Sequence, residues 1–221
     1  MQKVHRQALR LFLVRHGETA DNLQMRYIGI RDEPLTDRGM LQARQVASAL
    51  SQIPIRAVWT SPLRRAIDTA AQIQKAGRVE LRSDTRLAEG SFGRWEGMSR
   101  AEVLNLGEED AHLLARWETD PSCAPPEGES IEKIQTRMIS LVQEIERQFP
   151  ESSVVLVSHV GPIKALLAAS MAIPLQATRR LFIDPCTISV VDWGPTPLLR
   201  LFNSHAHLGW TSARWMNKEP E

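Results

Sequence analysis

The stretch Leu11-Phe12-Leu13-Val14-Arg15-His16-Gly17-Glu18-Thr19-Ala20-Asp21-Asn22 decides how the rest of the chain is read. An apolar run of strand type ends abruptly at a cation, an imidazole and a glycine, and a polar loop continues to Asn22. Residues 9–14 are nearly continuously apolar, as expected of a parallel strand buried on both faces. Open α/β sheets bind ligands at the carboxyl ends of their strands, so Arg15 and His16 ask for a chemical reason at that place. Taken alone, His16 does no more than close a strand. The case for chemistry rests on the later segments that deliver matching groups to similar positions.

Working outward, the loop from Gly17 to Thr36 carries Gly29 and Pro34 as punctuation. Thr36 precedes a helix with Ala43, Val46, Ala47 and Leu50 on one face. Residues 55–60 form a second strand, after which Ser61-Pro62 supplies an expected N-cap and first helical position. That helix runs on through Ala66, Ile67, Ala70 and Ile73, and its first turn holds Arg64 and Arg65. Cations there oppose the helix dipole at about a few tenths of a kcal/mol each. One of the two therefore serves another purpose, and Arg64 is the expected bystander. Residues 79–82 make a third strand.

From Gly90 to Gly128 the texture changes to glycines, prolines, Trp95, Trp117 and the acidic run Glu108-Glu109-Asp110, which reads as a small helical insertion or lid. Ser130 caps a long amphipathic helix whose stripe of Ile131, Ile134, Met138, Leu141, Val142, Ile145 and Phe149 is core packing. Residues 153–157 are a strand ending at Ser158-His159, and Gly161-Pro162 opens a helix through Leu167 and Met171. Strands near 187–192 and 198–203, separated by Gly194-Pro195, give an antiparallel finish. Strands alternating with helices and closed by a hairpin predict an α/β fold, a three-layer α/β/α sandwich. Its sheet is mostly parallel with one antiparallel edge region, in a single domain over residues 1–221 with a lid insertion at 90–128.

The 221 residues are 43% hydrophobic and 24% charged with a formal net charge of +1. That suits one core and provides no overall field for nucleic acid or an anionic membrane. Attraction for an anion must then be local. Cys123 and Cys186 stand far apart with no CxxC or CxxH spacing, as in a reduced, cytoplasmic protein without a disulfide framework or zinc knuckle. The early apolar run breaks at Arg15, too soon for a signal sequence, and the run from Ile163 to Leu175 carries Lys164 and Pro174, so no membrane span is expected.

Five blocks carry a resemblance. Leu13-Val14-Arg15-His16-Gly17-Glu18-Thr19 with Asn22, the run 61–70 (SPLRRAIDTA), the run 87–97 (LAEGSFGRWEG), Gly128-Glu129-Ser130 and Val157-Ser158-His159 occur in order. They resemble the signature blocks of the histidine phosphatase superfamily, the phosphoglycerate mutase-like proteins, and the likeness extends from residue 11 to residue 208. By that resemblance His16 is the nucleophile that becomes phosphohistidine, His159 is the second histidine that donates to the phosphoryl oxygens, and Glu89 is the general acid that later activates water. The physical case runs beside it. A neutral imidazole is needed for attack, and neighbouring Arg15 disfavours a second positive charge. Arg15 and Arg65 can fork onto phosphate oxygens, Asn22 offers amide donors, and the amides of Val160 and Gly161 lie at a helix start. Arg26 fits a family position near the pocket and equally a surface arginine.

His5 and His112 read as solvated, and His205 and His207 as structural hydrogen-bonding groups or half of a metal site. No carboxylate cluster accompanies the strand ends, so neither metal nor other cofactor is expected. The acid block Glu89-Gly90-Ser91-Phe92-Gly93 and the absence of an Arg-Arg pair between residues 90 and 128 favour a phosphatase over a mutase. The block resembles the branch of α-ribazole, broad-specificity and metal-independent phosphoserine phosphatases. Asp21 and Ile28 depart from the family at positions beside the pocket, where tryptophan and glutamine are common. The expected partner is a small phosphorylated metabolite, with a homodimer left open by an edge strand or an exposed lid. Two other readings stand beside this one, a phosphoglycerate mutase and a non-catalytic phosphate-binding module.

Overall fold

The computed structural model describes residues 8–209. Its centre is a six-stranded sheet in the order β3-β2-β4-β1-β5-β6. The strands are β1 (Leu9–Arg15), β2 (Ile55–Thr60), β3 (Glu80–Ser83), β4 (Ser153–Ser158), β5 (Ile188–Trp193) and β6 (Leu198–Ser204). The first four run parallel, and β5 and β6 close one edge antiparallel. Alternation along each strand sorts its side chains onto two faces. Leu9, Leu11 and Leu13 of β1 join Ala57, Trp59, Val154 and Leu156 in one core cluster. Phe12 and Val14 join Val58, Val155 and Val157 in the other.

Helices cover both faces. In chain order they are α1 (Ala20–Leu23), α2 (Asp37–Leu50), α3 (Arg64–Gly77), α4 (Arg100–Leu104), α5 (Glu108–Thr119), α6 (Ile131–Gln148) and α7 (Val160–Met171). α2 and α3 bury Ala43, Val46, Ala47, Leu50, Ala66, Ala70 and Ile73 on one face. α6 and α7 bury Ile134, Met138, Leu141, Val142, Ile145 and Leu166 on the other. This is the expected three-layer sandwich. Among the described residues no helix is long and apolar enough to cross a membrane.

Two local expectations need correcting. Ser61 does not cap α3: the helix starts at Arg64 after Leu63, with no side-chain cap. Ser61-Pro62 is spent on a turn, in which the Ser61 hydroxyl accepts from the Leu63 amide at 3.2 Å and meets His159. Ile67 is not core; it is 37% exposed, and the buried stripe of α3 runs instead through Arg65, Ala66, Thr69, Ala70 and Ile73. Trp95, placed in the lid by its position in the chain, is fully buried under Val103 and Leu114. Between residues 90 and 128 the chain does form helices, α4 and α5, preceded by a 3₁₀ turn at Gly93–Trp95. Asp110 ties this region together, accepting from the Trp95 indole at 2.8 Å and pairing with Arg94 at 3.0 Å.

Candidate active site

Parallel pairing sets Arg15 beside Ser158 and Thr60 beside Val157, so β2, β4 and β1 end at one level. The backbone continues that pairing past the strands: the His16 amide donates to Ser158 O and the Ser61 amide to Val157 O, both at 3.0 Å. Because β4 lies between β2 and β1, His159 falls between Ser61 and His16. Its Nε2 is 2.8 Å from Ser61 Oγ, and its ring centroid is 5.0 Å from that of His16. Topology alone has brought together groups 143 positions apart in sequence, from residue 16 to residue 159.

The His16 Nδ1 atom lies 2.7 Å from Gly17 O. A carbonyl can only accept, so this contact puts the proton of the neutral ring on Nδ1 and leaves Nε2 with its lone pair. Burial holds the His16 pKa well below 6.5, and the charges of Arg15 and Arg65 push the same way. His159 is likewise held low, by burial first and then by His16, Arg65 and Arg15. The Ser61 hydroxyl, already accepting from Leu63, has its own proton to give to His159 Nε2. In that arrangement the ring proton sits on Nδ1, which is buried without a hydrogen-bond partner.

Arg65 is 1% exposed, and its two terminal nitrogens donate to Arg31 O at 2.7 Å and Gly29 O at 2.8 Å. Those carbonyls aim the guanidinium, which explains why α3 tolerates a cation in its first turn. Arg64 is the bystander expected: it is exposed, and its side chain pairs with Asp68, 3.6 Å away in the next turn. Arg15 is buried and donates to Ile183 O at 2.7 Å. Asn22 is buried where α1 begins, its Oδ1 accepting from the Thr19 amide at 3.2 Å. That leaves the amide NH2 as its donor end.

Arg15, His16, Asn22, Arg26, Arg65, Glu89 and Val160 line one pocket of about 160 Å³, with Tyr27, Ile28, Gly29 and Phe92. Arg26 sits at the rim, where it pairs with Glu102 at 2.8 Å and donates to Gly97 O. The Gly161 amide does not point at this pocket as a spare donor. It donates to Glu89 Oε2 at 3.2 Å, while Gly90 N holds Oε1 at 2.9 Å. A larger groove of about 730 Å³ lies at the opposite end of β1, but its cations Arg10 and Arg200 are both paired with Asp192.

Sequence reading missed several residues of the site. Glu96 clasps the loop over Arg65, accepting from the amides of Ile30 at 3.0 Å and Phe92 at 3.2 Å. Tyr27 stacks on Phe92, with centroids 4.9 Å apart. Glu96 stood in the quoted block 87–97 without a role assigned to it, and Tyr27 had no sequence signal beyond its place in a loop. Asp21, one of the two departures, is turned toward Arg31 at 4.0 Å, and Ile28 is buried in the pocket wall. His205 pairs with Asp184 at 3.0 Å and His207 lies 2.8 Å from Cys186 O, the structural roles expected of them. His112 is exposed, and His5 lies outside the described residues. Among the described residues no three His, Cys, Asp or Glu side chains converge as a metal-binding group.

A buried neutral histidine beside two buried arginines stands at the carboxyl edge of a three-layer α/β sandwich, an arrangement chemically suited to a phosphoryl group. The chain belongs to the histidine phosphatase superfamily, branch 1, whose family pattern matches residues 11–203. It is 32% identical over 204 residues to phosphoserine phosphatase 1 of Hydrogenobacter thermophilus, covering 91% of this chain and 95% of that one. It is 36% identical over 185 residues to a bifunctional protein of Mycobacterium tuberculosis, covering 83% of this chain but spanning only 50% of that relative's length. Among solved structures, a mycobacterial glucosyl-3-phosphoglycerate phosphatase in complex with VO3 superposes with a TM-score of 0.81 at 30% identity, covering 89% of this chain and 100% of that one.

Proposed function

We propose that the chain is a phosphomonoesterase that hydrolyses a small phosphorylated metabolite through a phosphohistidine on His16. The observation that carries this reading is the Nδ1 contact of His16 with Gly17 O, which leaves Nε2 as the nucleophile in a pocket that keeps the ring neutral. Arg15 and Arg65, with Asn22 and His159, are proposed to bind the equatorial oxygens of the transferred group, where charge spreads in the transition state. As Nε2 forms a bond to phosphorus, the ester P–O bond breaks and Glu89 gives its proton to the leaving oxygen. The Glu89 carboxylate then takes a proton from water, the water oxygen attacks phosphorus, and the P–N bond breaks to restore neutral His16.

Gly161 is assigned to positioning Glu89 rather than to phosphate, since its amide is already spent there. Residues 90–128 are proposed as the lid over this pocket within a single domain. The arginines of that segment support a phosphatase over a mutase: Arg94 and Arg100 are paired with Asp110 and Glu118, and Arg116 is exposed. Wild-type protein is expected to hydrolyse phenyl phosphate in excess EDTA, and His16→Ala to lose at least about a thousandfold in kcat/KM. Full activity in His16→Ala, measured by phosphate release, would remove the proposal.

A further inference from the structure

Beside the phosphate pocket, and sharing Glu89, Phe92 and Val160 with it, lies a second cavity of about 190 Å³. At about 30 Å³ per water this holds some six water volumes, which suits the alcohol part of a small ester and no macromolecule. Phe92 and Trp117 form one wall, and two cations, Lys164 and Arg179, face the space.

Lys164 stands four residues after Val160 on α7, on the same face and one turn beyond the Gly161–Glu89 contact. It is half-buried in an otherwise apolar run from Ile163 to Ala169, and no hydrogen bond or ion pair joins its ammonium to any described residue. Burial pushes it down to about 8, and the charges of Arg179 and Arg15 add to that while Glu89 opposes it. Neither carboxylate of the cavity neutralises it. Glu129 is forked onto Arg137, with both contacts at 2.9 Å, and the Glu89 oxygens hold the Gly90 and Gly161 amides. Arg179, exposed at the rim, lies 4.0 Å over the Trp117 ring and donates one N–H to Trp117 O at 2.6 Å. Glu118 acts on the same guanidinium by charge alone.

Lys164 is half-buried with no hydrogen bond or ion pair to a described residue, and Arg179 repels it, while the charges of Glu89 and, at Arg179, of Glu118 offset this only from a distance. A ligand carboxylate between the two cations relieves both burial and repulsion. We propose that this cavity receives the leaving group and selects phosphate esters whose alcohol carries a carboxylate, gripped by Lys164 with Arg179 at the rim. The inference rests on the phosphatase reading above and names the substrate class within it.

The test compares kcat/KM for 3-phosphoglycerate and glycerol 3-phosphate, which differ only in a carboxylate for a hydroxymethyl group, with phenyl phosphate run alongside. At pH 7 the wild type is expected to favour the carboxylate ester by at least about tenfold, the scale of one charge-assisted hydrogen bond. Lys164→Met is expected to collapse that ratio toward one, and Lys164→Arg to keep most of it. In the wild type the ratio should also decay as pH rises through about 8, when Lys164 loses its charge. This arm needs no variant. A wild-type ratio near one, or a ratio untouched in Lys164→Met, overturns the inference while phenyl phosphate hydrolysis keeps the phosphatase reading intact. Failure to hydrolyse any of the three esters overturns both.

Discussion

The role proposed for Glu89 is what separates a hydrolase from a phosphate-binding pocket, because a binder has no use for a placed acid. Each of its oxygens accepts from one backbone amide, Gly90 on its own loop and Gly161 on α7. The second contact joins the carboxyl to a second element, and a Cβ added at residue 161 would come within 2.3 Å of Glu89 Oε1 and push the carboxylate aside. A general acid matters in proportion to the basicity of the oxygen it protonates. Glu89→Gln keeps the shape and an amide-accepting oxygen but has no proton to give in the same way. The variant is expected to lose about 10²–10⁴ in kcat/KM on an alkyl phosphate, the usual range for such catalysis. On 4-nitrophenyl phosphate, whose leaving group departs unprotonated, the loss should be far smaller. Equal losses on the two esters would mean that Glu89 acts through pocket shape or charge.

At the scale of elements, the loop of the proposed nucleophile is held by α2 and α3, which sequence reading found without showing what joined them to it. The Gly17 amide donates to Thr69 Oγ1 of α3, and the Glu18 amide to Gln42 Oε1 of α2, both at 3.0 Å. Backbone presses on backbone where α2 begins: a Cβ on Gly39 would sit 2.2 Å from Glu18 O. Such an oxygen cannot swing aside as a side chain could. Gly39→Ala is therefore expected to cost about 1–3 kcal/mol, the range for overpacking, and to lower the melting temperature by roughly 2–4 °C per kcal/mol. It should cut kcat/KM as well, because the displaced loop carries His16. Gly77→Ala at the end of α3, where the nearest atom is a Val79 methyl at 3.4 Å, should do neither. An unchanged melting curve for Gly39→Ala would break the link. What could be read in the chain follows the same division. Strands and helix faces were legible because apolar period encodes them, and His16, Arg65 and His159 drew notice because each follows a strand inside a block that resembles the family's. Ser61 was read as a cap because its local pattern is a cap's; only the β2-β4-β1 order reveals that its hydroxyl meets His159 instead. Lys164 was visible only as a charge breaking an apolar run, and its cavity is built from α7, the loop at Phe92 and α5, which linear order keeps apart.

For the whole molecule, the site is a standing electrostatic load, and pH should expose it. His16 and His159 are 2% and 1% exposed and held neutral, and His207 is also shifted down by burial. An imidazole in the unfolded chain binds its proton near 6.5. Below that pH the unfolded state takes up protons that these three folded-state groups refuse, so the unfolded state binds more protons than the native state. Stability then rises with pH in that window, and falls as the medium is acidified from about 6.5 toward the lowered folded-state values. Each group contributes up to about 1.4 kcal/mol per pH unit there. Melting temperatures from pH 7.5 to 5 should be flat above 6.5 and drop below it, with a shallower acid limb in His159→Gln, which removes one such group. An anion in the pocket opposes the same load. Inorganic phosphate at a hundred times its dissociation constant adds about 2.7 kcal/mol to the native state, worth roughly 5–10 °C for a chain of this size. That gain should vanish in Arg65→Met, where the guanidinium aimed by Gly29 O and Arg31 O is gone. A melting temperature indifferent to acid between pH 6.5 and 5, or a phosphate shift retained in Arg65→Met, would mean that these buried cations and imidazoles do not form one anion-seeking unit.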